Sequence, residues 1–303
     1  MTEIILHHFD PSPFAETVRL ALGIKNLSWR SVQIPMIMPK PLLMPLSGGY
    51  RKTPIMQIGA EVYCDSNLIL QELDRRFPEP ELYPQQSLGL SAALASWSDV
   101  NFFQPGAALS MAINQDLPEP LVADRKAFFK FMDFDTIANE IPHLHTQFLA
   151  QVDLLEGQLA AGTPYLTGNN PNVVDILGYF PLWMARGNFP QLNDHLAQFS
   201  GVQQWEARMQ QIGHGKPSEM EAEAALDRAR QASPDGSELV HDDPLGLEVG
   251  QTVKVTPTDY GEVAVAGQLM QLSNQRVVIQ REDPALGLVN NHFPRAGFRI
   301  DPL

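Results

Sequence analysis

Residues 3–9 alternate weakly between apolar and polar positions and are rich in β formers, and Asp10-Pro11-Ser12-Pro13 then breaks the run. Phe14, Val18, Ala21 and Leu22 fall at i, i+4, i+7 and i+8, which places them on one face of a helix beginning at Ser12 with Pro13 in its first turn. Trp29–Ile34 reads as a second strand, and strand, helix, strand at this spacing predicts a βαβ unit with two parallel strands. A Pro- and Met-rich connection from Pro35 to Gly49 follows. Arg51–Ser66 then reads as strand, tight turn and strand: Ile55–Ile58 and Glu61–Tyr63 flank Gly59, and Asp65 or Ser66 caps the helix that runs through Asn67–Leu73. Pro54, directly before an apolar strand, cannot donate to a central ladder and marks an edge or a special turn, with a cis bond as one solution.

The pattern is helical from there on. Residues 86 to 113 and 120 to 132 carry helical spacing, with Trp97, Val100 and Phe103 as expected core anchors. Phe148, Val152, Leu155 and Leu159 continue it until Gly162. After the loop Tyr165–Gly168, Asn172 and Asp175 have the spacing of a capping box before a helix apolar almost all round, which predicts a buried central helix. Glu219–Ala232 reads as a last, exposed helix. Ser233–Ser237 opens a polar linker, and beyond it Val253/Val255, Val263/Val265, Val277/Ile279 and Phe298/Ile300 alternate in short strands.

Composition narrows the function. The net charge of -14 argues against nucleic acid or an anionic membrane as partner, and the acidity lies almost wholly in the first 246 residues, since 247–303 hold five basic and six acidic groups. Met1–Leu6 has neither a basic leader nor a cleavable apolar core, and a single cysteine, Cys64, fits a reducing compartment, so a cytoplasmic protein is expected. His7 and His8 point to opposite faces of a strand, and His143 and His145 lack a third ligand at suitable spacing; no metal is expected. No phosphate-cradling Gly-rich loop and no Gly-x-Ser-x-Gly elbow occurs.

The order βαβ-ββα with Thr53-Pro54 before the third strand resembles the thioredoxin fold, and Ser12-Pro13-Phe14 and Asp65-Ser66 resemble the N-terminal domain of cytosolic glutathione transferases. The loop, cap and buried helix at 165–183 resemble that family's helical domain, with Asn172 where the family usually has Ser or Thr. The resemblance covers the first 232 residues or so. It implies an α/β thioredoxin-like glutathione-binding domain (1–82) and an all-α helical-bundle domain (83–232) carrying a hydrophobic substrate site. A linker (233–246) and a small all-β, barrel-like module (247–303), expected from the strand pattern alone, lie beyond it. A homodimer is implied by the resemblance.

The resemblance also assigns roles. Ser66, at a helix N-terminus, would bind the γ-glutamyl carboxylate and Asp65 would offset the ammonium. Thr53 would pair through its backbone with the cysteinyl part, presented by a cis Pro54, and Lys52, or alternatively Arg51 or Lys40, would meet the glycine carboxylate. Phe14 is a further candidate at the site. A thiol of pKa ~8.5 is mostly protonated at neutral pH, and the Ser12 hydroxyl, donating to the sulfur at the positive end of a helix, would favour the thiolate. The local alternative for Ser12 is a plain N-cap. Serine cannot form a mixed disulfide, so attack of glutathione on a small-molecule electrophile is expected, with Trp97, Phe102, Phe103 and Met111 as candidate pocket residues. Cys64 reads as a buried filler. The rival function is a non-catalytic glutathione- or protein-binding module that uses the same fold for assembly.

Overall fold

Strand β1 (Ile5–His8) is enclosed on both faces and pairs in parallel with β2 (Ser28–Gln33) on one side and antiparallel with β3 (Ile55–Ile58) on the other. Helix α1 (Pro13–Ile24) connects β1 to β2 in sequence, and the short α2 (Met44–Ser47) precedes β3. Gly59, at φ 61°, turns β3 into β4 (Glu61–Cys64), and α3 (Ser66–Arg76) follows, which gives the expected βαβ-ββα order. The computed structural model describes residues 3–84, 87–114, 116–189, 191–240 and 243–303. Met1 and Thr2 of the Met1–Leu6 segment, Gln86 at the head of an expected helix, and His241 and Asp242 of the expected linker lie outside them.

The helical segments are α4 (Leu88–Trp97), α5 (Gln104–Ile113), α6 (Glu119–Phe128), α7 (Ile141–Leu159), α8 (Val173–Asn188), α9 (Leu192–Leu196) and α10 (Ser200–Ile212). Then come β5 (Lys216–Glu219), α11 (Ala222–Arg230), β6 (Leu239–Val240), β7 (Thr252–Pro257), β8 (Val265–Leu272), β9 (Arg276–Asp283), β10 (Gly287–Pro294) and β11 (Phe298–Pro302). The chain divides into two compact units. One contains the residues up to Asp10, Ser28–Gln71 and the chain from Lys216; the other contains Pro11–Leu27 and Glu72–Gly215. Among the described residues no helix is long and apolar enough to cross a membrane.

In the first unit all strands join one sheet, in the order β11-β7-β8-β9-β10-β4-β3-β1-β2-β5, with β6 beside β8. The expected C-terminal strands are therefore present, but they do not close into a barrel. Their order is open, and β10 pairs in parallel with β4, Asn290 opposite Glu61 and His292 opposite Tyr63. The physical reason lies in β4: as the last strand of the βαβ-ββ set it would expose a row of unpaired backbone groups, and β10 satisfies them. Side chains fix the join. His292 bonds Glu61 and stacks on Tyr63 at 4.3 Å, and Asn290 Nδ2 donates to Asp235 O at 2.8 Å. One hydrophobic core runs beneath the whole sheet, from Ile5, Val62 and Cys64 to Val255, Ile279 and Phe293.

Helix α11 packs into that same core through Ala225, Leu226 and Ala229, so it is not the exposed helix its composition suggests. Its Ala225 carbonyl accepts from Gln57 Nε2 at 2.8 Å, and Gln57 Oε1 accepts from His7 Nε2 at 2.8 Å, so a buried polar relay is fully satisfied.

In the second unit α8 is the buried central helix. Asn172 caps it, accepting from Val174 N at 2.9 Å, while Asp175 Oδ2 accepts from Asn172 N at 3.1 Å. Asp175 Oδ1 takes two more donors, Leu166 N at 2.8 Å and Trp205 Nε1 at 2.9 Å, which ties the 165–168 loop and α10 to the same cap. Burial raises the Asp175 carboxyl, and these donors oppose the shift. Phe103 is buried as expected, but Val100 is half exposed, at 50%. A π-helical turn over Ser98–Phe103 shifts the phase of the stripe, so Phe102 takes the core position against Phe148.

Candidate functional site

The candidates fall into two sets, one on each unit. Lys40, Arg51, Lys52, Thr53, Pro54, Asp65 and Ser66 belong to the first unit, Ser12 and Phe14 to the second.

In the first unit the Thr53–Pro54 peptide is cis, immediately before β3. Asp65 occupies the cap position of α3: its carbonyl accepts from Ile69 N at 3.0 Å and its Oδ1 from Asn67 N at 2.9 Å. It does so at φ 81°, a conformation that side-chain-bearing residues rarely adopt and that clusters at ligand sites. Burial raises the Asp65 carboxyl first of all; the Lys52 charge and the amides of Asn67 and Leu68 oppose it, and Asp259 adds to it. Ser66 is the first helical residue, its amide and hydroxyl at the positive end of α3.

The two lysines are already engaged. Lys40, buried, donates from Nζ to Thr53 Oγ1 at 2.9 Å and more weakly to Arg51 O at 3.5 Å, with the Phe9 ring 5.5 Å away. Lys52 Nζ lies 2.5 Å from Asp259 Oδ1 and 4.3 Å from the centroid of the Tyr260 ring. Tyr50 is buried against Phe293 and Phe298, and its hydroxyl has no hydrogen-bond partner among the described residues. Burial, with the nearby charges of Asp65 and Asp259, holds that phenol well above its ordinary range.

Tyr50, Asp259 and Tyr260 were not legible as site residues. Tyr50 precedes Arg51 without a motif, and Asp259 is 207 residues from Lys52, so no local spacing pairs them. Cys64 is fully buried in the core, and burial pushes its thiol far up, away from the reactive thiolate.

In the second unit Ser12 is the N-cap of α1, with Pro13 at the first helical position. The Ser12 Oγ accepts from Ala15 N at 3.2 Å in a buried setting. Capping uses only a lone pair, so the hydroxyl proton can still be donated. Phe14 packs against Phe103 at 4.7 Å and Phe180 at 5.1 Å, and Phe103 meets Phe129 and Phe131 at 6.5 and 6.4 Å. Phe14, Phe129 and Phe131 are partly exposed, so the aromatic cluster that follows from the first turn of α1 presents ring faces and edges outward. Phe102 is instead buried, 4.7 Å from Phe148 and 5.7 Å from the partly buried Trp97. His145 and His195 meet at 4.6 Å, and among the described residues no group of three or more His, Cys, Asp or Glu is gathered to hold a metal.

Residues 6–81 match the glutathione S-transferase N-terminal domain family. The fold of the whole chain superposes on a GST-like protein from Pseudomonas syringae, with 34% identity, a TM-score of 0.82 and 100% of both chains covered. The chain therefore belongs to the glutathione S-transferase family. Glutathione S-transferase U4 of Arabidopsis thaliana is 23% identical over 133 residues, 43% of this chain and 59% of that protein, so the chain spans less than two thirds of that curated relative. Gtt2 from Saccharomyces cerevisiae shares the fold at 17% identity and a TM-score of 0.54; it is covered to 96% but accounts for 68% of this chain. The Pseudomonas syringae protein, in contrast, is matched over the full length, C-terminal strands included.

Proposed function

We propose that the chain is a glutathione transferase in which Ser12 stabilises the glutathione thiolate for attack on a small electrophile. The observation that carries the reading is the start of α3. There Asp65 holds an unfavourable φ of 81° as a partly buried cap beside Lys52, and the Ser66 amide and hydroxyl stand at the helix N-terminus. That arrangement suits the γ-glutamyl end, a carboxylate on the helix terminus and an ammonium on Asp65. Thr53, after whose carbonyl the chain turns at Pro54, pairs with the cysteinyl backbone.

In the reaction the glutathione S–H loses its proton to solvent, the thiolate forms a carbon–sulfur bond with the electrophile, and the leaving group departs with the electron pair of the broken bond. Ser12 donates its hydroxyl proton to the charged sulfur and favours the ionised form; no general base partner is needed. The outward rings of Phe14, Phe129 and Phe131 favour an electrophile with an aromatic group. The lone buried cysteine and the need for reduced glutathione fit the cytoplasm.

Turnover of glutathione with a chlorodinitrobenzene electrophile tests this in wild type and Ser12→Ala. The substitution removes a charge-assisted hydrogen bond, so kcat/KM at neutral pH falls about 10- to 100-fold. The loss shrinks at high pH, because the variant raises the pKa of the bound thiol and full ionisation is then reached without help. Equal rates in both forms across pH would remove Ser12 from the mechanism. Binding without turnover in either would leave a glutathione-binding module in place of an enzyme.

A further inference from the structure

The end of α7 and the start of α10, both in the second unit, enclose a cavity of about 320 Å³, at the small end of the range for ligand pockets. Gly162, at φ 82°, follows the end of α7, and Arg208 of α10 draws in the next turn by donating from Nε to Pro164 O at 2.7 Å. Leu159 is buried at the floor, while Gly162 and Gln204 are exposed at the rim. None of the lining residues is a glutathione candidate.

The polar groups of this lining are only partly used. With Nε held by Pro164, Arg208 keeps Nη1 and Nη2, and among the described residues neither has a hydrogen-bond or ion-pair partner. Gln204 likewise has no side-chain partner there, and Thr163 Oγ1 donates to Tyr165 O at 2.7 Å with its lone pairs left over. The acid nearest in sequence to the floor, Glu156, is committed: it accepts from Gly201 N at 3.0 Å and from Val202 N at 2.7 Å. Those two amides are the anion-binding end of α10, so a phosphate would find them occupied. What remains is one guanidinium with a pair of parallel N–H donors on its outer edge, beside Leu159 and Pro164. A planar carboxylate matches that edge in shape, and a single negative charge matches it in sign.

We propose that this cavity binds a small monocarboxylic acid with a compact apolar body, its carboxylate paired with the outer edge of Arg208 and its body against Leu159 and Pro164. The site is independent of glutathione turnover, since it shares no residue with Ser12 or the start of α3. It is coupled to the fold through the turn it braces, because that turn leads into Leu166, whose amide is held by the Asp175 cap at 2.8 Å. An acid that binds only the folded chain therefore raises its melting temperature.

The experiment is titration of the isotope-labelled full chain with benzoate and with its neutral counterpart benzamide, followed by amide chemical shifts. The net charge of -14 repels anions at long range, so about 0.15 M salt is present to screen it. Benzoate is expected to saturate with a Kd of about 1 mM, to shift the amides of Gly162, Thr163, Gly201 and Gln204, and to bind about tenfold tighter than benzamide. Arg208→Gln is expected to remove that preference, while Arg208→Lys keeps part of it, since a point charge survives without the fork. Gln204→Trp fills the cavity from an exposed position and leaves the bond from Arg208 to Pro164 in place, so it is required to abolish binding even if Arg208→Gln loosens the turn. No saturation up to about 20 mM, shifts confined to other residues, or a preference that Arg208→Gln leaves unchanged would each overturn the site.

Discussion

His7 shows what a single enclosed residue does to stability. Its Nε2–H donates to Gln57, whose remaining donors serve Gly59 O and Ala225 O, so the ring is held neutral in the sheet and burial lowers its pKa to about 4. The folded pKa is depressed below the unfolded value of ~6.5, so the contribution is fully present above pH 6.5 and is lost as pH falls toward 4. Between pH 7 and 4.5 that loss amounts to about 2–3 kcal/mol. Asp65 and Asp175, whose carboxyls are raised, act in the opposite direction over acid pH, so the comparison must be differential. Urea unfolding of wild type and His7→Gln at the two pH values is expected to show a wild-type drop larger by that amount. Equal drops would mean the ring titrates normally. At this scale legibility follows sequence distance. Ser12, Asp65 and the Asn172–Asp175 cap were readable because a cap and its partner lie within three residues. Lys52–Asp259 and Glu61–His292 were not, because 207 and 231 residues separate partners that only the sheet brings together.

Elements were legible where periodicity is strong and uniform. Beyond residue 250 the pairs Val253/Val255, Val277/Ile279 and Phe298/Ile300 lie in strands, whereas Val263 precedes β8 and β10 was not expected at all; alternation says which face is buried and nothing about which edge a strand will join. Hence β10 finds β4, and the expected barrel is an open continuation of the first sheet. The π-turn at Ser98–Phe103 has the same lesson for helices: one added residue in a turn rotates Val100 outward, and a fixed 3.6 period cannot anticipate it. The join has a consequence for truncation. A chain lacking residues 287–303 loses β10 and β11, uncovers the β4 edge, and removes Val289, Phe293, Phe298 and Ile300 from a shared core. Size-exclusion chromatography is expected to show aggregation of this truncated chain, since an apolar unpaired edge invites pairing between copies. A monodisperse product with the wild-type melting temperature would mean that the C-terminal strands are a dispensable addition.

For the whole molecule, the remaining expectation is self-association. Helix α4 is apolar in sequence yet buries little of itself: Leu88 and Leu90 are 41% and 60% exposed, and Leu154 on α7 is 60% exposed, one turn from Gln151, which accepts from Trp97 at the end of α4. Scattered single leucines on a surface need no cause, but several on two helices joined by a hydrogen bond favour contact with a second copy. Against this stands the net charge of -14, which repels like copies over the Debye length. The two effects make distinct forecasts. If burial of these leucines drives association, sedimentation at micromolar concentration gives twice the 33.7 kDa chain mass, and added salt strengthens the dimer by screening its charge. Leu90→Glu, which places a charge in that surface, then weakens association at least about tenfold without loss of helicity, because one buried leucine contributes roughly 1.5–3 kcal/mol. A sedimenting species of single-chain mass at every concentration and salt would leave these leucines as ordinary surface, and the reaction would then have to be completed within one chain.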